Sequence, residues 1–230
     1  SYKKTRNGLL GGDYSSKLAP WLANGSISPR FVYYEIKNYE AERVQNKSTY
    51  WLVFELIWRD LFRYLVWRYG NRLFYLSGLW NVQKSWDRGP HSLEKWKTGT
   101  TGIPFIDANM RELYFSGYMS NRGRQNVASF LAKDLNIDWR IGASWFESLL
   151  IDYDVYSNWG NWNYNAGVGG DPRKDRFFNI ILQAKKYDPK AEFIKLWVRI
   201  LFTIGTLWPD PSRKNWPRTT MLRLSSMKDG

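Results

Sequence analysis

The residues best suited to chemistry lie close together in the segment DYDVYSNWGNWNYNAGVGG, residues 152–170. Asp152, Asp154 and Asn158 stand there among tryptophans, tyrosines and glycines. Carboxylates and amides cost free energy when they are buried without a partner. These three side chains offer acceptors and donors in the planar pattern that recognition of a heterocycle's edge requires. The segment therefore predicts a surface that binds a flat, polar-edged molecule, or else a long loop held by Asx turns.

A second group of candidate residues lies in ELIWRD, residues 55–60, in the middle of a predicted helix. Glu55, Trp58 and Arg59 are three and four residues apart, so they share one helix face. Such a face could bind a ligand. Taken alone, it is as typical of an i,i+4 ion pair on the surface.

A third group is NRGRQ, residues 121–125. Asn121 and Gln125 share a helix face, and Arg122 and Arg124 flank it. The alternative interpretation is a helix start with solvated arginines.

The segment GDYSSKLAPWL, residues 12–22, is the fourth group. Ser15 and Ser16 precede a predicted short helix, where hydroxyls and free N–H groups suit phosphate. An ordinary helix cap would explain the same pattern.

Composition narrows the function classes. The chain has 230 residues, 43% of them hydrophobic, and a formal net charge of +13, which suits one domain that binds polyanions. Fourteen tryptophans among basic residues suit stacking on bases or on a planar cofactor. The absence of cysteine and the single histidine, His91, argue against a metal site. No apolar run is long enough for membrane insertion.

Periodicity predicts one all-α domain over residues 1–203 and a divergent basic tail over 204–230. Residues 152–172 are predicted to be mostly irregular. One predicted helix begins at Ser28-Pro29, a second covers about 48–69 and ends at Gly70, and a short one lies around Leu93–Lys97. A further helix ends at Gly117. The remaining predicted helices cover about 120–135, 139–151, 173–187 and 189–203.

Taken in order, these motifs closely resemble the flavin-binding half of the cryptochrome/photolyase family. The resemblance covers roughly residues 2–200. Within the family, the chain is similar to the DASH cryptochromes through Gln125 after NRGR, the run SNWGNWNY and GDPRKDRFFN. It implies a helical domain that binds a U-shaped FAD, without the family's N-terminal α/β antenna domain.

The resemblance also implies the cofactor contacts. Asp152 and Asp154 would face the flavin ring edge and the adenine side, Asn158 would lie near flavin N5, and Arg124 would pair with the aspartate near the ring. The ribityl and phosphate region would be held by Tyr2, Ser15, Ser16 and Arg59. Ala19 stands where relatives commonly carry a phosphate-binding serine, and one such hydrogen bond contributes about 1.5–3 kcal/mol.

The implied activity is light-driven electron transfer from reduced FAD to cyclobutane pyrimidine dimers, preferentially in single-stranded DNA. Trp58 and Tyr164 would flank the flipped dimer. Glu55 and Asn121 would contact the base edges of the dimer or the flavin, and Gln125 would border the same pocket. Trp162, Trp139 and Trp86 would carry electrons from the surface to the flavin. Ser120 stands where (6-4) repair enzymes have a histidine, which disfavours that reaction.

Two alternatives stay open at this point. The chain could be a blue-light receptor or nucleic-acid-binding flavoprotein without repair activity. It could also be a degenerate domain that serves as a structural subunit, with the tail as a docking segment for a protein partner. The sequence leaves the cellular compartment open.

Overall fold

The computed structural model describes residues 1–12, 14–171 and 176–204, with the backbone alone for 199–204. These residues form helices and connecting turns, which confirms the all-α prediction. Their β structure is limited to one isolated bridge between Asp87 and Ile137. In the same ranges, no helix is both long enough and apolar enough to cross a bilayer.

The helices follow one another along the chain as α1 (Tyr2–Thr5), α2 (Ala19–Ala23), α3 (Pro29–Glu42), α4 (Lys47–Tyr69), α5 (Pro90–Thr98), α6 (Pro104–Ser116), α7 (Asn121–Ser129), α8 (Trp139–Leu149), α9 (Val155–Ala166), α10 (Ile180–Tyr187) and α11 (Glu192–Ile204). A 3₁₀ turn, Gly70–Phe74, follows α4, and a π-helical turn, Phe130–Asp134, extends α7.

Helix ends with a clear chemical signal lie where the sequence predicts them. The Ser28 hydroxyl accepts a hydrogen bond from the Phe31 amide, and Pro29 occupies the first turn of α3. Helix α4 ends at Gly70 with φ 58°, and α6 ends at Gly117 with φ 66°. Glycine reaches this left-handed region without the steric cost of a Cβ.

The prediction that residues 152–172 are mostly irregular is wrong, because α9 occupies Val155–Ala166. Asp154 begins this helix by accepting a hydrogen bond from the Ser157 amide at 2.8 Å. The asparagines send their amide groups one turn back to backbone carbonyls, as Asn161 does to Ser157 and Asn165 to Asn161, both at 2.8 Å. Residues that usually favour turns thus bond within the helix.

The last two helices begin later than predicted. Residues 176–179 are not helical, and α10 begins after Asn179, which accepts from the Leu182 amide at 3.0 Å. Helix α11 begins at Glu192 rather than at Pro189, because the Asp188 carboxylate accepts from the Phe193 and Ile194 amides. Residues 172–175, and the predicted tail from 205 onward, lie outside the described residues.

The core lies between α5, α6, α7, α8, α9 and α11, and it is closed around three large buried side chains, Trp96, Trp139 and Phe193. Helices α8 and α9 meet closely at Gly142, where a Cβ would collide with the Trp162 ring. Helices α3 and α4 share a smaller cluster around Val32, Ile36 and Leu56. The larger core therefore fixes α7 and α9, which carry most of the predicted site.

Candidate cofactor-binding site

A cavity of about 270 Å³ opens between α1, the segment before α2, α4, α7 and the start of α9. Most of the predicted site residues line it together. They are Tyr2, Ser15, Ser16, Glu55, Asn121, Arg124, Gln125, Asp152, Asp154, Asn158 and Trp162.

An ion pair between Arg124 of α7 and Asp152 joins two walls of the cavity. The Arg124 guanidinium lies 3.0 and 2.8 Å from the two carboxylate oxygens and also donates to the Met119 carbonyl at 2.8 Å. The Asp152 side chain is only 4% exposed. A buried carboxylate needs such a partner, so Arg124 fixes the position of a charge beside the cavity.

Asp154 and Asn158 are one helical turn apart at the start of α9. Asp154 caps the helix, and the Arg59 guanidinium lies 3.9 Å from its carboxylate. The Asn158 amide donates to the Ala143 carbonyl of α8 at 3.0 Å. Arg59 does not itself line the cavity, and its guanidinium donates to the Leu22 carbonyl at 3.4 Å.

The serine side of the cavity carries hydroxyls, and the Lys17 cation lies behind the lining against the Tyr118 ring. The Tyr118 hydroxyl donates to Ser15 Oγ at 3.2 Å, and Lys17 Nζ lies 4.1 Å from the Tyr118 ring centroid. Ser15 and Ser16 do not cap a helix, since Leu18 is the N-cap of α2. They remain cavity residues through the loop that precedes the helix, and Ala19 lines the same side without a hydroxyl.

One buried acceptor in the cavity wall has no partner. Asn165 donates to the Asn161 carbonyl, but its Oδ1 is buried and makes no hydrogen bond to any described residue. An unsatisfied buried acceptor costs about 1–3 kcal/mol. Because Asn165 lines the cavity, this atom offers an acceptor for an N–H or O–H group of a ligand.

Glu55 does not form the i,i+4 pair with Arg59 that its helix position allowed. It forms a short ion pair with Arg6 of the chain start instead. Burial raises the pKa of the Glu55 carboxyl, and Arg6 opposes that rise. The contact turns Glu55 toward the cavity mouth.

Trp58 and Tyr164 lie beside the cavity rather than in its lining. Their rings meet edge to face, with centroids 6.3 Å apart and planes at 85°. The Arg176 guanidinium donates to the Tyr164 hydroxyl at 2.7 Å. The contact therefore joins α4 to α9. Trp58 lies within one helical turn of Glu55, and Tyr164 lies within one turn of Asn165.

Arginines at the cavity rim were not among the predicted site residues. Arg122 donates to Gln125 and to Asn7, both at 2.7 Å, and lies 4.6 Å from the Tyr187 ring centroid. Among the described residues, no carboxylate lies within 4 Å of it. Burial lowers the pKa of the Arg122 guanidinium, Tyr187 opposes that change, and Arg176 and Arg6 lower the pKa further.

The positive charges of Arg6, which lines the cavity, and of Arg176 both act on Arg122. Arg6 pairs with Glu55, and Arg176 lies 3.8 Å from the Asp171 carboxylate. We call these three arginines the rim. The sequence signal was present in NRGR and in the basic residues near 176, but their convergence required the fold. This rim suits an anionic ligand at the cavity mouth.

The three tryptophans of the predicted electron route occupy different depths. Trp162 lines the cavity, is 2% exposed and contacts Trp96 and Phe146. Trp139 is fully buried, donates to the Leu76 carbonyl at 3.1 Å and contacts Trp159. Trp86 packs against the edge of the core, with Lys84 Nζ 5.0 Å from its ring centroid. Their ring contacts within the described residues do not join the three directly, so the route stays a prediction.

The fold and this geometry define a class: an all-helical domain whose cavity accepts a flat heterocyclic cofactor. Residues 51–218 match the family model for the FAD-binding domain of DNA photolyase, and the chain belongs to the photolyase/cryptochrome family. The matched span extends past residue 203, the predicted domain boundary.

Named relatives narrow the family to its DASH branch. The chain is 61% identical to cryptochrome DASH of Xenopus laevis over 86% of its own length, and 54% identical to the chloroplastic/mitochondrial cryptochrome DASH of Arabidopsis thaliana over 96%. It spans 38% of the length of each of these relatives.

Solved structures show the same relationship. The chain superposes on the cryptochrome of Synechocystis sp. PCC6803 with a TM-score of 0.85 and 59% identity, over 87% of this chain and 42% of that one. For the class III photolyase of Agrobacterium tumefaciens, the TM-score is 0.78 and the identity 35%, over 88% and 42%.

FAD is the cofactor of this family domain, and the cavity residues fit it. The unpartnered Asn165 acceptor suits a ring N–H or a ribityl hydroxyl. The Ser15 and Ser16 hydroxyls line the cavity, and hydroxyls of this kind can donate to a phosphate.

Proposed function

We propose that this chain holds FAD in the cavity and uses blue light to split cyclobutane pyrimidine dimers, preferentially in single-stranded DNA. The observation that carries the proposal is the position of the Trp58–Tyr164 pair, which lies within one helical turn of cavity residues. Aromatic faces beside the cofactor cavity suit a flipped-out pyrimidine dimer.

The rim arginines support a nucleic-acid substrate. Arg176 donates to the Tyr164 hydroxyl, Arg122 donates to the cavity residue Gln125, and Arg6 lines the cavity. Phosphate contacts of such cations position a strand without reading its sequence. A single strand has already lost its base pairing, so flipping the lesion out of it costs less.

FAD, when bound and fully reduced, supplies the absorption of blue light and the electron that the reaction borrows. The two C–C bonds of the cyclobutane ring break and the electron returns, so the reaction consumes no net oxidant or reductant. The chain's own residues therefore have to bind, orient and exclude water. Trp58 and Tyr164 would stack on the dimer, while Glu55, Asn121 and Gln125 would bond to its polar edges.

Glu55 is the residue with which to separate lesion recognition from general DNA binding. We expect Glu55→Gln to slow repair of a thymine dimer in a single strand at least ten-fold, because a neutral amide replaces the carboxyl at the dimer edge. Affinity for an undamaged strand should change less than two-fold. Glu42→Gln, on the exposed end of α3, is the matched control.

Repair is measured by the loss of the dimer under blue light, with FAD reduced chemically beforehand. An intact Glu55→Gln repair rate would contradict the role of Glu55. Retained FAD without any repair by the unmodified chain would favour a photoreceptor, and a folded chain without FAD would favour a structural subunit.

The tryptophan route is tested separately. Trp162→Phe keeps much of the ring's bulk but removes an oxidisable indole at the cavity, so photoreduction of oxidised FAD should slow at least ten-fold while FAD stays bound. Repair after chemical reduction should persist. Trp86→Phe should have a smaller effect, and photoreduction of Trp162→Phe at the unmodified rate would show that electrons enter by another residue, such as Trp96.

A further inference from the structure

A second concave surface is lined by residues of α4 and α9 that do not line the cofactor cavity. We call it the α3–α4 groove; its volume is about 790 Å³, and its main side chains are Arg30, Asp60, Arg63, Tyr64, Trp67 and Tyr156. Asp154 and Ser157 line the cofactor cavity, whereas Tyr156 between them lines the groove. None of the six residues belongs to the cavity, so the two sites are distinct.

The groove exposes two large aromatic rings. Trp67 is 84% exposed and Tyr64 is 62% exposed. Their rings are nearly parallel, with an interplanar angle of 19° and centroids 6.3 Å apart. Adjacent exposed aromatics of this kind mark a binding surface rather than a packing need.

The charges of the groove favour an anion. Arg30 and Arg63 are exposed, and no carboxylate of a described residue lies within 4 Å of either guanidinium, although Asp60 lines the same groove. The Arg63 guanidinium lies 5.7 Å from the Tyr156 ring centroid. Two arginines against one carboxylate leave the groove positive, in agreement with the charge of +13 of the whole chain.

We propose that the α3–α4 groove binds single-stranded nucleic acid independently of any lesion, with bases stacked on Tyr64 and Trp67 and phosphates held by Arg30 and Arg63. Aromatic platforms interleaved with cations are what strand binding without sequence preference uses. The site does not rest on the proposed repair activity. It would hold undamaged strand while the cavity region examines a base.

The test measures the binding of fluorescent undamaged oligo(dT) and oligo(U) at several salt concentrations. Arg30→Gln/Arg63→Gln should lower the affinity about ten-fold at low salt and reduce the slope of log K against log salt by about 1.4, or 0.7 for each lost phosphate contact. Arg43→Gln/Arg88→Gln removes the same charge from exposed positions outside the groove and should leave the slope unchanged.

Trp67→Ala should lower the affinity for both oligonucleotides roughly ten-fold. The control is Tyr34→Ala, which removes an exposed aromatic ring of α3 outside the groove and should leave the affinity unchanged. The preference for a dimer-containing strand over an undamaged one should be the same in groove variants and unmodified protein. This ratio separates the two proposals, because loss of the lesion pocket changes the ratio and loss of the groove does not.

Unchanged affinity and salt slope in both groove variants would overturn the proposal. Sedimentation of the same variants addresses the main competing occupant, a second copy of this chain. A dimer that disappears in Trp67→Ala while oligonucleotide binding is retained would identify the groove as a self-contact and would equally overturn it.

Discussion

The large core, formed by α5 to α9 and α11, and the α3–α4 pair use the same kinds of side chain in opposite ways. In the core, Trp96, Trp139 and Trp162 are at most 2% exposed, and Trp96 also donates to the Val127 carbonyl at 3.0 Å. On α4, Tyr64 and Trp67 face the solvent. Aromatic content alone therefore does not distinguish a core residue from a binding residue.

Polar groups follow the same division. In the core, the Asn163 side chain accepts a hydrogen bond from the Leu79 amide and donates to the Leu73 and Trp159 carbonyls. Asn165, two residues later at the cavity, leaves one oxygen without a partner. Residue type therefore predicts a binding site only when the hydrogen-bonding groups that the fold leaves without a partner are also known.

The largest difference in stability is expected between the loss of a buried core tryptophan and the loss of an exposed one. We expect Trp96→Ala to lower the free energy of unfolding by about 4 kcal/mol, because it removes a fully buried ring and leaves a cavity. Trp67→Ala should change it by less than about 0.5 kcal/mol. Urea unfolding measures both. Equal losses would mean that the α3–α4 surface is part of the packed core.

A smaller difference in the free energy of unfolding is expected when two arginine–aspartate ion pairs of similar length are broken in turn. Arg124→Met leaves Asp152 buried without its cation and should cost about 3 kcal/mol. Arg140→Met breaks the pair with Asp138 at 2.7 Å, but its guanidinium side chain is 39% exposed, so the cost should stay below about 1 kcal/mol. Similar losses in urea unfolding would contradict the burial argument.

A pH-dependent effect concerns Glu112 of α6, which interacts with Tyr14 and Lys17. Its Oε2 has no hydrogen-bond partner among the described residues. Burial raises the pKa of its carboxyl to about 8, against the Ser120 amide, Arg124 and Lys17, which lower it. Tyr14 also faces this carboxyl, and burial followed by the charge of Glu112 raises the pKa of its hydroxyl.

Between roughly pH 4.3, the ordinary pKa of glutamate, and pH 8, the folded chain binds more protons at Glu112 than the unfolded chain does. Its stability should therefore fall as pH rises through this window. Glu112→Gln cannot ionise, so its stability advantage over the unmodified chain should grow from pH 5 to pH 8. Glu94 is exposed and pairs with Lys97, so the stability of Glu94→Gln relative to the unmodified chain should not increase in this way with pH. A constant Glu112→Gln advantage would contradict the burial account.

The sequence predicts the helices whose ends carry strong local signals, such as Ser28-Pro29, Gly70 and Gly117. It does not predict α9, because asparagines and aspartates favour turns unless their side chains find partners. Here Asp154 caps the helix and the asparagines bond to carbonyls one turn back. Those bonds depend on the direction of each side chain, which composition does not contain.

The candidate site shows the same limit. The order of the motifs identifies Arg124, Asp152, Ser15 and the other cavity residues. It does not identify Arg122 or Asn165, since the role of each depends on a missing partner: a carboxylate for Arg122 and a donor for the Asn165 oxygen. Absent partners become visible only when helices from distant parts of the chain are brought together.

The cavity between α1, α4, α7 and α9 is expected to hold FAD. To test this, the purified chain is saturated with FAD, the excess is removed, the protein is unfolded and the released flavin is quantified. We expect one FAD for each folded chain, and a large loss in Arg124→Met but not in Arg140→Met. A chain that is helical by circular dichroism, yet neither carries nor takes up FAD, would contradict it.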